Sequence, residues 1–190
     1  MFEVRVHGRG GQGVVTTAAL LSMAGFRDGR RAQAFPSFGS ERTGAPVVAF
    51  CRLADGPIRL REPVMAPDAL IVQDATLLHQ VDVFAGLRPD GFLLVNSTRT
   101  AAELGITSVV DRLLPGHVAI VPASRIAVEH LGRPMPGVAL LGAFAALTGQ
   151  VSLPSISAAV HEQFTGAVAA GNAAAAKAAF DVETRSRAAC

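Results

Sequence analysis

The sequence predicts a single α/β domain with a mostly parallel sheet flanked by helices, and three observations predict it. Residues 2–6, Phe-Glu-Val-Arg-Val, alternate with a period of two, the pattern of a half-buried strand. A glycine-rich turn at residues 8–13 follows at once and opens residues 14–25, a run dominated by Ala, Leu, Val and Met that reads as a buried helix. Farther on, Ala69-Leu70-Ile71-Val72, Gly91-Phe92-Leu93-Leu94-Val95 and Val118-Ala119-Ile120-Val121 are short continuous apolar runs, as expected of parallel strands covered on both faces. Strand, glycine turn and helix, then further buried strands, is an α/β order.

The remaining elements follow along the chain. Residues 31–35 read as a second strand. Residues 47–53 read as a third, paired with a short segment at 58–61 across the turn Asp55-Gly56-Pro57. Residues 77–87 look helical, while 98–114 fit neither period. From Ser124 onward the pattern is helical, broken at 132–137 and near Pro154. Ser152-Leu153-Pro154-Ser155 is a helix start, with serine as cap and proline early in the first turn. Residues 167–179 are rich in alanine, the strongest helix former. The expected domain covers 1–183, and Thr184-Arg185-Ser186-Arg187 belongs to a tail, 184–190, expected to fray.

Composition narrows the function. Half of the 190 residues are apolar and only 17% are charged, enough for one buried core and a surface poor in charge, as partner-covered surfaces are. A net charge of +2 with interspersed signs and no Trp or Tyr gives nucleic-acid binding no support. Arg27, Arg30 and Arg31 read as a solvated helix end. Cys51 and Cys190 have no metal spacing and make no disulfide framework, which fits a reducing cytoplasm. Without a cysteine cluster the chain cannot hold an iron–sulfur centre alone. No signal-peptide pattern opens the sequence. The apolar run 137–147 falls short of the about 20 residues that a membrane span needs. A cytoplasmic chain without membrane insertion is the expectation.

Gly8-Arg9-Gly10-Gly11-Gln12-Gly13 satisfies G-x-G-x-x-G between a strand and a helix, the setting in which the motif cradles phosphates. Glycines let the backbone turn tightly and approach a pyrophosphate, whose oxygens take the free N–H groups of the helix start. A tight strand-to-helix crossing without ligand is the plainer reading. The dinucleotide form also needs an acid about 20 positions on. Asp28 comes too early, and Pro36-Ser37-Phe38 follow the second strand, so an NAD(P) site is poorly supported.

A second long irregular segment runs Phe35-Pro36-Ser37-Phe38-Gly39-Ser40-Glu41-Arg42-Thr43-Gly44-Ala45-Pro46. It mixes aromatics, adjacent opposite charges and small residues, so it suits either close approach to another chain or a plain surface loop. His7, His79, His117, His130 and His161 lack metal-ligand spacing, and only His7 stands beside the glycine loop. Ser97 follows a strand end but lacks the Gly-x-Ser-x-Gly elbow of a nucleophile. No stand-alone catalytic set and no metal site emerges.

Taken together, residues 6–14 and 35–47 resemble the gamma subunit of pyruvate:ferredoxin and related 2-oxoacid:acceptor oxidoreductases. Leu140-Leu141-Gly142-Ala143 and Leu147-Thr148-Gly149 are similar to its C-terminal helical part. The resemblance implies a non-autonomous subunit in a complex that oxidatively decarboxylates a 2-oxoacid, usually to an acyl-coenzyme A. It implies alpha and beta subunits that bind thiamine diphosphate and a ferredoxin-like delta subunit or domain with iron–sulfur clusters. It places Gly8, Arg9, Gly10, Gly11, Gln12 and Gly13 as contacts to coenzyme A, and Ser40, Glu41, Arg42, Thr43 and Gly44 at a subunit interface. Where many relatives carry asparagine after the proline ahead of the C-terminal helix, this chain has Pro136-Gly137-Val138. Two other readings stand beside this one: a free-standing NAD(P)-dependent dehydrogenase and a ligand-free assembly subunit.

Overall fold

The computed structural model describes residues 1–37 and 43–189. Its strands are β1 (Phe2–Arg9), β2 (Arg31–Pro36), β3 (Pro46–Ala54), β4 (Ala69–Val72), β5 (Phe92–Asn96) and β6 (Val118–Val121). Its helices are α1 (Val14–Arg27), α2 (Thr107–Val110), α3 (Ala123–Leu131), α4 (Gly137–Thr148), α5 (Leu153–Gln163) and α6 (Gly166–Ala188). The strands form one sheet in the order β2-β3-β1-β4-β5-β6. β1, β4, β5 and β6 run parallel, while β3 is antiparallel to both β1 and β2.

The two faces of the sheet are covered differently. Val4 and Val6 of β1 share a core with Leu20 and Leu21 of α1, Phe144 of α4 and Ala176 of α6, so one face carries a helical layer. Leu70, Val72, Leu93 and Val95 instead pack on Leu77, Leu78, Val83, Leu104, Ile106 and Leu113, which come mainly from turns and short helical pieces. The buried character of β4 and β5 is as expected, and the helical elements on this second face are short.

The helix expected over 77–87 is one short 3-10 helix, Ala75–His79, followed by turns. Gly86 adopts φ +74, and a Cβ there would stand 1.9 Å from the Met65 carbonyl oxygen. The Arg5 guanidinium, buried on β1, donates to the carbonyls of Val64, Val83 and Ala85. Carbonyls that a helix would use internally are thus turned toward the sheet. Similarly, the hairpin expected between β3 and residues 58–61 does not form, because β1 and β2 fill both edges of β3. Arg52 of β3 holds the segment instead, donating to the Leu60 and Glu62 carbonyls.

The helical layer depends on close approach. A Cβ on Gly142 would lie 1.9 Å from the Ala176 carbonyl oxygen, so α4 and α6 cross nearly backbone to backbone. The small side chains of Ala139, Ala143, Ala175 and Ala179, all buried, suit that approach. The Ser152 hydroxyl caps α5 by accepting from Ser155 N at 3.2 Å. Asp28 accepts from Ser152 N and from both serine hydroxyls, so it serves a helix start and not a ribose. α6 continues through Ala188, past the expected point of fraying: Glu183 is buried and Arg187 donates to the Gly116 carbonyl at 2.7 Å. Among the described residues no helix is long and apolar enough to cross a membrane.

Candidate functional site

The parallel strands end along one edge of the sheet, where α/β proteins gather their ligands. There β1 runs into the glycine loop, β4 into Gln73 and Asp74, and β5 into Asn96. Gly8 and Arg9 are still in β1, and the loop proper is Gly10 to Gly13. Gly8 serves packing: a Cβ there would meet the Val14 side chain at 2.6 Å. Gly11 and Gly13 take φ +92 and +72, a region that L side chains rarely adopt.

Backbone bonds shape the loop. Gly10 N donates to Ala45 O at 2.9 Å, Gly44 N to Gly10 O at 3.1 Å, and Gln12 N to Arg9 O at 3.0 Å. Among the described residues the N–H groups of Gly11, Gly13, Val14, Val15 and Thr16 have no backbone partner. α1 therefore opens with free donors and the positive end of its dipole, and its first turn carries no acid. These groups border a cleft of about 330 Å³ lined by Gly10, Gly11, Gly13, Val15, Thr16 and Met135.

The long side chains of the motif are held by hydrogen bonds at the rim, Arg9 in the lining of the cleft and Gln12 in that of the adjoining slot. Arg9 Nε donates to Asp74 Oδ2 at 3.2 Å, Nη1 to Gly44 O at 3.0 Å, and Nη2 to Thr76 Oγ1 and Gln80 Oε1, each at 2.6 Å. Gln12 Oε1 accepts from Arg9 N at 2.8 Å, and its Nε2 donates to Asp74 Oδ2 at 2.9 Å. Asp74 is the hub. Desolvation alone would raise its pKa, but hydrogen bonds from Thr76 and Gln12 and the charge of Arg9 hold it below its ordinary value. Of the six motif residues, Gly10, Gly11 and Gly13 present backbone to the cleft, while Arg9 and Gln12 brace it.

The second motif meets the first directly. Thr43 bridges to Gly10, and Gly44 exchanges bonds with Gly10 and Arg9. Ser40, Glu41 and Arg42 lie outside the described residues. His7 is buried and accepts from Arg5 Nε at 3.0 Å. Burial and the Arg5 charge push its pKa down to about 4, so near neutral pH it is an uncharged brace. Burial raises the Cys51 thiol far above its ordinary value, leaving it protonated. Among the described residues no group of three or more His, Cys, Asp or Glu side chains could hold a metal ion.

Behind the cleft lies a polar chain that sequence patterns do not reveal. Gln73 Nε2 donates to Thr17 Oγ1 at 2.6 Å, and Thr17 Oγ1 donates to Gly13 O at 3.0 Å. Asn96 Nδ2 donates to Gln73 O and Ser124 Oγ, both at 2.8 Å. Gly137 fits this chain: a Cβ there would lie 2.2 Å from Thr17 Oγ1, so glycine lets α4 start against α1. Asp74, one residue past Gln73 at the end of β4, was findable from its strand-end position. Met135, Arg133 and Asn172 reach the region only through the helical layer.

The fold and site define an α/β protein whose strand, glycine loop and helix open onto a cleft at the ends of the parallel strands. A family model, pyruvate ferredoxin/flavodoxin oxidoreductase, matches residues 3–182. The pyruvate/ketoisovalerate oxidoreductases common subunit gamma of Thermococcus kodakarensis is 47% identical over 183 residues, covering 95% of this chain and 96% of that one. The crystal structure of pyruvate oxidoreductase subunit PORC from Thermotoga maritima superposes with a TM-score of 0.79 at 33% identity, covering 95% of both chains. A 2-oxoglutarate:ferredoxin oxidoreductase from Magnetococcus marinus, solved with 2-oxoglutarate, coenzyme A and succinyl-CoA bound, shares the fold with a TM-score of 0.71 at 19% identity, this chain matching 31% of its length. The chain belongs to the pyruvate ferredoxin/flavodoxin oxidoreductase family, as a gamma-type subunit of a multi-subunit oxidoreductase.

Proposed function

We propose that this subunit supplies the coenzyme A side of a complex that oxidatively decarboxylates a 2-oxoacid. In this reading it works in the cytoplasm with alpha and beta subunits carrying thiamine diphosphate and a ferredoxin-like delta subunit carrying iron–sulfur clusters. The glycine-loop cleft receives the phosphates of coenzyme A, and residues 40–44 meet a partner chain beside it. The observation that carries the reading is the set of N–H donors at the start of α1 without a partner among the described residues, bordering a cleft, with no acid in that first turn. Gly11 supports it: among the described residues a Cβ there would meet nothing within 4 Å, which leaves the loop backbone open to an approaching anion. Coenzyme A bound to a protein of the same fold is consistent with it.

The free-standing NAD(P) reading loses its geometry. In a dinucleotide fold the strand after the first helix lies beside β1 and ends in the ribose-binding acid. Here β3 separates β2 from β1, and β2 ends in Pro36 followed by Ser37.

Val15→Glu tests the cradle. An acid in the first turn of α1 favours the helix dipole, so folding is spared, while its charge repels phosphate. In the assembled complex the KM for coenzyme A should rise at least about tenfold with little change for the oxoacid, the effect of about 1.4 kcal/mol or more of lost binding. An unchanged KM would leave the ligand-free assembly reading.

A further inference from the structure

β2 closes one side of the sheet, with β3 as its only strand neighbour among the described residues. Ser37 N donates to Val48 O at 2.8 Å, which fixes the phase of that ladder. Arg31, Gln33 and Phe35 turn their backbone groups toward β3, while Ala32 and Ala34 turn theirs outward. Among the described residues those outward N–H and C=O groups have no partner. Beside them, Ser22, Met23 and Phe26 of α1 border a groove of about 630 Å³ with Ala32, and Phe26 is 66% exposed. On the opposite face of the strand, Gln33 Oε1 is shielded from solvent yet accepts no hydrogen bond among the described residues. An edge of this kind is a template for another strand.

We propose that β2 pairs antiparallel with the β2 of a second copy of this chain, about a two-fold axis beside Gln33. Only the two-fold register that sets Ala32 against the copy's Ala34 uses the N–H and C=O of both alanines. A shift one way sets Ala32 against the copy's Pro36, which has no N–H. A shift the other way sets Ala34 against the copy's Arg30, whose N–H already donates to Gly25 O at 3.0 Å. The side chains of the favoured register also match. Gln33 meets Gln33, and amides both donate and accept, so each supplies the other; a half-turn about the terminal torsion lets either end face the axis. Arg31, exposed at the start of the strand, meets the copy's Phe35 ring, a favourable cation–aromatic pair, and not a second arginine. On the helical face the two Phe26 grooves come side by side and shed water. The backbone ladder alone would accept any extended segment; the self-complementary side chains select a copy. This pairing stands independently of what the glycine loop binds.

Sedimentation of the purified full chain should show a species of twice 19.6 kDa, and a mass of 19.6 kDa at every concentration would overturn the pairing. Gln33→Cys then locates the contact. Opposed residues that share no backbone bond in an antiparallel pair stand about 4.5 Å apart at Cα, within the roughly 4.4–6.8 Å that a disulfide spans. Under mild oxidation, the assembled complex carrying Gln33→Cys should yield a disulfide-linked pair of this chain. Ala34→Cys, on the opposite face and set against the copy's Ala32, should yield little, and the unaltered chain sets the background from Cys51 and Cys190. Equal yields from the two variants, no pair from Gln33→Cys, or a disulfide to a different subunit would each overturn the inference. The sedimentation result needs no variant, so it decides the question even where Gln33→Cys fails to assemble.

Discussion

Arg9 Nε closes on Asp74 Oδ2 at 3.2 Å across 65 positions of sequence, with the two side chains 23% and 17% exposed. That contact joins the end of β1 to the end of β4. Because Arg9 also holds Gly44 and Asp74 also holds Gln12, it positions the two family motifs against each other. The glycine loop is shaped from behind by side chains, leaving its backbone donors for the cleft.

Asp74→Ala should therefore disturb both stability and the site. It removes an acceptor used by Arg9, Gln12 and Thr76, which predicts a loss of about 1–3 kcal/mol in denaturant unfolding. In the complex the KM for coenzyme A should rise. Asp74→Asn, which keeps one acceptor oxygen, should lie between Asp74→Ala and the wild type. An Asp74→Ala protein as stable as wild type would show that the network is redundant.

His7 makes stability depend on pH in mildly acidic solution. Its folded pKa of about 4 lies below the unfolded 6.5, so the unfolded chain takes up a proton that the fold refuses. The contribution is whole above 6.5, is lost as pH falls toward 4, and amounts to about 3 kcal/mol. Asp28 and Asp74, held below the ordinary 3.8, act at lower pH. Burial raises Glu183 above 4.5, which works in the opposite sense. His7→Gln, which retains an acceptor for Arg5, isolates the effect: its unfolding free energy should fall less between pH 7 and pH 5 than that of the wild type. Parallel pH curves for the two proteins would refute the assignment.

The α4–α6 crossing should resist even a methyl group. Gly142→Ala gains up to about 1 kcal/mol in helix propensity, yet its Cβ must displace a backbone carbonyl 1.9 Å away. Overpacking of this kind costs about 1–3 kcal/mol, so the melting temperature should fall. Gly56→Ala, whose Cβ would meet nothing within 4 Å among the described residues, should leave it unchanged.

The isolated chain should be colourless and unable to oxidise a 2-oxoacid. No cysteine cluster is present in the sequence, and the described residues hold no catalytic set. Iron and acid-labile sulfide assays together with a visible spectrum would check this, and a brown protein would contradict it.

Replacing Glu41 and Arg42 together by alanine should weaken complex formation or lower turnover. Gel filtration of the reassembled complex and its specific activity give the readout. Survival of both at wild-type levels would make residues 40–44 an ordinary surface loop.

Local pattern determined much of this protein. The alternation at residues 2–6, the apolar runs of β4, β5 and β6, and the Ser152 cap announce their elements because strand periodicity, burial on both faces and N-capping are written in neighbouring residues. The glycine spacing likewise announced the turn from β1 into α1, and the paired motifs the family. Tertiary structure decided what depends on distant partners. β3 pairs with β1 and β2 because both its edges are filled from elsewhere in the chain, and residues 77–87 lose their helix because Arg5 takes the carbonyls and Gly86 must pack on Met65. Arg9 became a brace and Asp74 its anchor for the same reason: a side chain's role is set by which donors and acceptors the fold brings within about 3 Å of it, and sequence spacing does not encode that distance.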